Sequence, residues 1–368
     1  MKIEIQKKDL LNLISRTQNI VEKRNTMPVL VNVLLEAQGS QLKAYATDLE
    51  VSLTDSISVT VKEPGKVAVS AKNLFEITKE LFDGPAQLIK RDNNWLEIKQ
   101  GKFTSKIVGV AAEEYPVFPT YNSENFSKID ATEFKYMIDK TIYSVSNDET
   151  RYHLNGVFFE SQDKNHITMV ATDGHRLSLI KKSFAGLSFN EKIGVIIPKK
   201  GLFEIKKLIE TSVDDVYVAV EGSQFILKSG SCVLMIRLIE GKYPNYQQFI
   251  PQKLSHRIVI PREHILSSLK RVSLFANQKS KAILLAFTAN KLEITSNNPE
   301  LGDAKEELDI DYKGPDIKIG FNARYIEDVL KNIEQDKVEF EINDHVSPGV
   351  LKAHGSDNYI NVVMPMRI

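Results

Sequence analysis

The chain has 368 residues, 42% hydrophobic and 26% charged, with 48 basic side chains balanced by 48 acidic ones. That length and composition suit two or three ordinary globular domains, each with a sizeable core. Zero net charge excludes a uniformly basic nucleic-acid wrapper but not a local basic face, and a lone cysteine, Cys232, excludes a disulfide framework and a cysteine-built zinc site.

The N-terminal MKIEIQKKDLLNLISRTQN has no continuous apolar core, and no later stretch reaches membrane-spanning length. With the single cysteine, this predicts a soluble protein of a reducing cytoplasm, without a membrane partner. The first unit opens with a strand and an amphipathic helix whose apolar face carries Leu10, Leu13, Ile14 and Val21. The strands NVLLEA (32–37) and LKAYATDLEVSL (42–53) follow, then a helix in VSAKNLFEITKEL (69–81), then EYPVFP (114–119).

The pattern then begins again. GVFFES (156–161) and HITMVATDGHRLSL (166–179) read as strands. IPKKGLFEIKKLI (197–209) reads as a helix with Leu202, Ile205, Leu208 and Ile209 on one side, and KYPNYQQFIP (242–251) closes the unit. A third pass has a helix with Ile265, Leu269 and Val272. AILLAF (282–287), LEITSNNPELGD (292–303), GFNARYIEDVLKNI (320–333) and the terminal YINVVMPMRI follow it. Ala46, Ala171 and Ser296 align at a constant lag of 125 residues, which is the period of a whole domain and not of a solenoid. The expectation is an α+β fold of three repeated domains, 1–125, 126–252 and 253–368, each with two helices packed on antiparallel sheet.

The polar helix positions are rich in cations: Lys7, Lys8, Arg16, Lys23 and Arg24, then Lys135, Lys140, Lys199, Lys200, Lys206 and Lys207, then Arg262, Lys270, Arg271, Arg324 and Lys331. For one helix a solvated face is the plainer reading. Recurrence in three units favours sequence-blind contact with a polyanion backbone.

ATDGHRLSL (171–179) places Asp173, His175 and Arg176 close together, as a hydrolase centre would. The equivalent turns TDLE (47–50) and NNPE (297–300) contain no histidine, and their short polar residues are turn formers, so Asp173 reads as a turn residue. No phosphate-loop motif occurs, and the seven histidines lack metal-ligand spacing, so no catalytic residue, metal or cofactor is expected. His175, Arg176 and Arg151 occur only in the second unit, where a function can be grafted on a repeat. The run Val362-Val363-Met364-Pro365-Met366-Arg367 reads either as a strand burying its own residues or as one side of a peptide groove.

RYHLNGVFFE (151–160), ATDGHRLSL, IPKKGLFE (197–204), GKYPNY (241–246), SNNPE (296–300) and VVMPMRI, with the threefold repeat, resemble the bacterial sliding clamp family, the beta subunit of DNA polymerase III, over the full length. The resemblance implies a non-catalytic processivity factor: a head-to-tail homodimer closing a ring of six domains around double-stranded DNA. Twelve helices spaced about 9 Å apart would leave a hole roughly 25 Å wide.

It also implies a cleft for short motifs of the DNA polymerase III alpha subunit, the clamp-loader delta subunit and other clamp-motif proteins. The cleft comprises Arg151, Leu154, Thr172, Gly174, His175, Arg176, Leu177, Pro244, Val346, Val362, Met364, Pro365, Met366 and Arg367, with Tyr325 as a gate. Gln248, Phe249 and Pro348 complete it and differ from a well-known relative. By the same resemblance Arg24 and the loop before Arg151, followed by Tyr152 and His153, face DNA, to which the basic helix positions Lys199 and Lys200 add, while Lys72, Phe103, Leu274 and Phe275 form the dimer interface. A peptide-binding scaffold that never encircles DNA is the alternative, and a hydrolase at Asp173 and His175 the remote one.

Overall fold

The second and third repeats each fold as a strand, a helix, four strands, a second helix and three strands, and the first repeat adds two short strands, Thr60–Glu63 and Gly109–Val110, to the same order. The computed structural model describes residues 1–21, 27–122, 126–163, 165–184, 187, 189, 192–212 and 214–367. The helices are α1 (Lys7–Gln18), α2 (Ala71–Glu80), α3 (Ala131–Asp139), α4 (Lys199–Thr211), α5 (Arg262–Val272) and α6 (Ala323–Lys331). Polar residues fix several starts. The Ser70 hydroxyl accepts the Asn73 N–H at the head of α2, and the Asn322 side chain accepts from Arg324 at the head of α6.

Apolar spacing decides which helix face is buried. Leu10, Leu13 and Ile14 of α1 join Leu74 of α2 and the sheet residues Ile3, Val33, Leu35 and Leu88 in one core. In α6 the buried positions are Ala323, Ile326, Val329 and Leu330. Burying a leucine or isoleucine contributes about 1.5–3 kcal/mol, so each helix pair is held mainly by this stripe. Val21, expected on the α1 face, lies beyond the helix end and packs only partly buried against the core.

Among the described residues the strands form four antiparallel sheets, and two of them draw on adjoining repeats. Each repeat gives its first strand and the three strands after its second helix to one sheet, and most of the strands between its helices to the next; in the first repeat Thr60–Glu63 instead joins the first sheet and Gly109–Val110 the second. Thus Val51–Ser58 of the first repeat pairs with Cys232–Arg237 of the second, and Arg176–Ser183 of the second pairs with Tyr359–Val363 of the third. The chain accordingly groups into two compact units. One contains Met1–Lys135 and Lys200–Leu238, the other Tyr136–Phe184, Lys192–Lys199 and Ile239–Ile368.

No helix among the described residues is long and apolar enough to cross a membrane. Cys232 is buried and unbridged.

Candidate functional site

The ATDGHRLSL stretch forms the end of strand His166–Thr172, a tight turn and the start of strand Arg176–Ser183. The turn is built from its own side chains. Thr172 Oγ1 accepts the Gly174 N–H at 3.1 Å, and Asp173 Oδ1 accepts those of His175 and Arg176 at 2.9 and 3.0 Å. Asp173 is therefore a turn former and not the acid of a catalytic pair. Gly174 has φ 87°, a conformation that costs glycine no strain, and a Cβ there would lie 2.6 Å from Arg151 Nη1, so a side chain would displace that guanidinium.

Arg176 is the anchor of the turn. Its Nε donates to Asp173 Oδ2 at 3.1 Å, Nη1 to Asp328 Oδ2 at 2.7 Å and Nη2 to the Tyr143 carbonyl at 2.6 Å. The guanidinium also lies 4.6 Å from the Tyr325 ring centroid. With its side chain 9% exposed, Arg176 holds this wall in place through bonds within the chain. Sequence reasoning missed Tyr143 and Asp328, because partners 33 and 152 residues away leave no local signal.

His175 sits at the exposed tip, its ring stacked on Tyr325 with centroids 6.4 Å apart. Beyond the strand, the Met364 N–H bonds the His175 carbonyl at 2.9 Å, and the Met366 N–H bonds the Gly320 carbonyl at 2.8 Å. These two bonds carry the chain terminus past the turn. Met364, Pro365 and Met366 stay partly exposed, and Arg367 is exposed. Val362 belongs to the strand and is buried, so both readings of the terminus apply to different parts of it.

Leu154, Leu177 and Val362 share one apolar cluster with Val170, Tyr243 and Val350. They form a floor and not an exposed lining. Pro244 is partly exposed just after Tyr243, whose ring stacks on Phe158 at 5.0 Å. Phe249 and Val346 are exposed at 44% and 66%, apolar area that a ligand can cover, with Gln248 and Pro348 beside them in sequence. Below the floor, the Tyr143 hydroxyl meets Tyr359, Asn361 and Ser178, each at 2.7 Å. Burial pushes the Tyr143 phenol up to about 12, which keeps it a neutral hydrogen-bonding group. Among the described residues no group of three His, Cys, Asp or Glu is placed to hold a metal ion.

Models of the N-terminal, central and C-terminal domains of the DNA polymerase III beta subunit match residues 1–119, 128–245 and 247–367. The chain belongs to this family. The beta sliding clamp of Pseudomonas putida is 32% identical over 369 residues and that of Caulobacter vibrioides 31% over 377, with 100% of both chains covered in each comparison. Among solved structures, a DNA polymerase sliding clamp from Pseudomonas aeruginosa matches with TM-score 0.93 at 30% identity, again over 100% of both chains. A Caulobacter crescentus beta sliding clamp with polyethylene glycol bound to a putative beta-motif tethering region matches with TM-score 0.94 at 31% identity, over 100% of both chains. The architecture is thus three clamp domains. The function is that of a sliding clamp, a non-catalytic processivity factor of DNA polymerase III, with DNA and the polymerase as partners.

The residues expected on the DNA side of the clamp are differently placed. Arg24 lies outside the described residues. Tyr152 is 55% exposed and meets His153 edge to face in the short helix Glu149–Leu154. Lys199 donates to Asn147 Oδ1 at 3.1 Å, and desolvation followed by nearby Arg176 holds its pKa below the usual lysine value. Lys200 lies 2.6 Å from Asp48 Oδ2, so much of its charge is met inside the chain.

The wider basic faces are tempered in the same way. Arg16 pairs with Asp55, Lys135 with Glu210, Lys207 with Glu204, Arg271 with Glu306 and Lys331 with Glu327. Lys140 is 4% exposed and paired with Glu334, hence a core residue and not a face residue. Of the expected interface residues, Phe103 starts an edge strand, Leu274 is 72% exposed, Phe275 follows it in a short helix, and Lys72 is exposed on α2.

Proposed function

We propose that this clamp, with domains at 1–125, 126–252 and 253–368, closes as a head-to-tail homodimer around duplex DNA. On this reading it holds the polymerase alpha subunit, the loader delta subunit and other clamp-motif proteins through the groove between the 172–176 turn and the 364–367 tail. The observation that carries the groove is the pair of backbone bonds from Met364 and Met366. They leave a partly exposed Met-Pro-Met run beside His175, and Phe249 and Val346 are also exposed in the same compact unit. Flexible thioether chains beside aromatic rings suit apolar peptide side chains, and Arg151 and Arg367 suit a carboxylate. Two related solved clamps hold a ligand, griselimycin in one and polyethylene glycol at a putative beta-motif tethering region in the other.

The dimer reading rests on strand register. At both intrachain junctions the strand after the repeated turn pairs with the last strand of the following repeat, Ser52 facing Met235 and Leu177 facing Val362. The corresponding strands Gly302–Asp309 and Phe103–Ile107 are both sheet edges among the described residues. Applying the same register pairs Asp303 with Lys106, Ala304 with Ser105 and Glu307 with Lys102 of a second copy. Charges then oppose across the ladder, and a repeated head-to-tail contact closes a symmetric dimer.

Tyr152, His153, Lys199 and Lys200 remain the proposed DNA-side groups, with Arg24. Incomplete charge there favours loose contact, which suits sliding. Retention on nicked circular DNA with release after linearisation is the expected outcome. Equal retention on both forms sinks encirclement and leaves the peptide scaffold.

A further inference from the structure

The groove beside His175 has a structural counterpart at the other intrachain junction. There, Thr47 Oγ1 accepts the Leu49 N–H at 3.0 Å, and Asp48 Oδ1 accepts those of Glu50 and Val51 at 2.9 and 2.7 Å. This is the bonding set of Thr172 and Asp173 repeated. Tyr115 places its hydroxyl 3.3 Å from the Tyr45 carbonyl, as Tyr243 does 3.4 Å from that of Val170. In each linker a proline follows that tyrosine and an aromatic lies three positions on, Phe118 in one and Tyr246 in the other.

One difference stands out. Leu49 adopts φ 77° where the counterpart Gly174 has 87°, although a side chain in this region costs roughly 1–2 kcal/mol. Leu49 is nevertheless 50% exposed, so its strain is not repaid by burial. Strained residues of this kind cluster at ligand clamps. Leu49 lines a depression of about 280 Å³ that shares Pro119 and Met235 with an adjoining one of about 550 Å³. The larger depression has Val233 and Met235 as floor, Tyr45, Phe118 and Tyr121 as walls, and Lys43 and Lys228 among its lining. Lys43 is exposed and has no acidic partner among the described residues.

We propose that this groove is a second docking site for a short peptide segment carrying apolar side chains and a carboxylate. The apolar floor takes a leucine or phenylalanine side chain, and Lys43 with Lys228 meets the carboxylate. Single-stranded nucleic acid fits less well. The Tyr45 and Phe118 rings meet at 64°, and those of Tyr121 and Phe126 at 86°, so neither pair offers a flat platform for consecutive bases. The inference borrows its peptide chemistry from the proposed function, while its position rests on this junction alone.

The test is photo-crosslinking of the full-length clamp by a biotinylated Asp-Leu-benzoylphenylalanine peptide, with adducts mapped by mass spectrometry. Two adduct regions are expected, one at residues 118–121 and one at 364–367. Lys43→Glu with Lys228→Glu lowers the first about tenfold and spares the second, and Met364→Ala with Arg367→Ala does the reverse. Adducts at 364–367 alone overturn this inference and leave the cleft reading intact. Adducts at 118–121 alone do the opposite, and no adduct overturns both. Suppression of the 118–121 adduct by oligothymidylate present during irradiation, but not by unlabelled peptide, reassigns the groove to nucleic acid, which also overturns the proposal.

Discussion

Arg176 and Asp328 meet at 2.7 Å, joining the second-domain turn to α6 of the third domain. Because Tyr325 sits one turn earlier on α6 and lies under the same guanidinium, the ring that stacks on His175 is held by this pair. Substituting Asp328→Ala leaves a largely buried guanidinium short of a partner. The expected cost is about 2–3 kcal/mol in denaturant unfolding of that compact unit, and weaker peptide binding should accompany it. Arg176→Lys should lower both properties as well, because an ammonium cannot reproduce the three-way fork.

Double substitution of Met364 and Arg367 by alanine should weaken an acidic, apolar peptide about tenfold or more, measured by fluorescence anisotropy. Both side chains are at least partly exposed, so folding should be unaffected and the melting temperature should hold. Unchanged affinity would remove the tail from the cleft.

Light scattering should give about twice the 41.6 kDa chain mass, and Leu274→Asp should shift it toward the monomer. Ser105→Cys combined with Ala304→Cys should form a covalent dimer on mild oxidation if the proposed register holds. A dimer that resists this pair but links through neighbouring positions would correct the register.

Alkaline pH should loosen the protein over a defined window. Burial pushes Tyr143 and Tyr115 up to about 12, and burial followed by the Glu160 hydrogen bond does the same for Tyr246. An unfolded tyrosine titrates near 10. The folded forms bind their protons more tightly, so their stabilisation is complete below about pH 10 and is lost as pH rises toward 12. Tyr143→Phe should make the fall in melting temperature across that window shallower.

Burial also pushes the Cys232 thiol up to about 12. Iodoacetamide should leave it unmodified at pH 8 in the folded protein and react readily after denaturation. Labelling at equal rates in both states would mean that the strand Cys232–Arg237 opens easily.

The period of 125 residues, the helices and strands in each repeat, the turn role of Asp173 and the family were all legible in the chain. Each depends on local signals: apolar spacing, self-capping polar residues and recurring motifs. Sheet sharing between repeats was not legible, because the pairing of Leu177 with Val362 joins strands 185 positions apart without a local mark. Nor was the fate of individual charges. Lys140 and Lys200 read as cations of a polyanion-binding face, yet acids brought in by folding meet both of them. Periodicity along a chain records which face a side chain takes. Only the tertiary structure decides which distant carboxylate waits there, since a charge leaving water must find a partner in space.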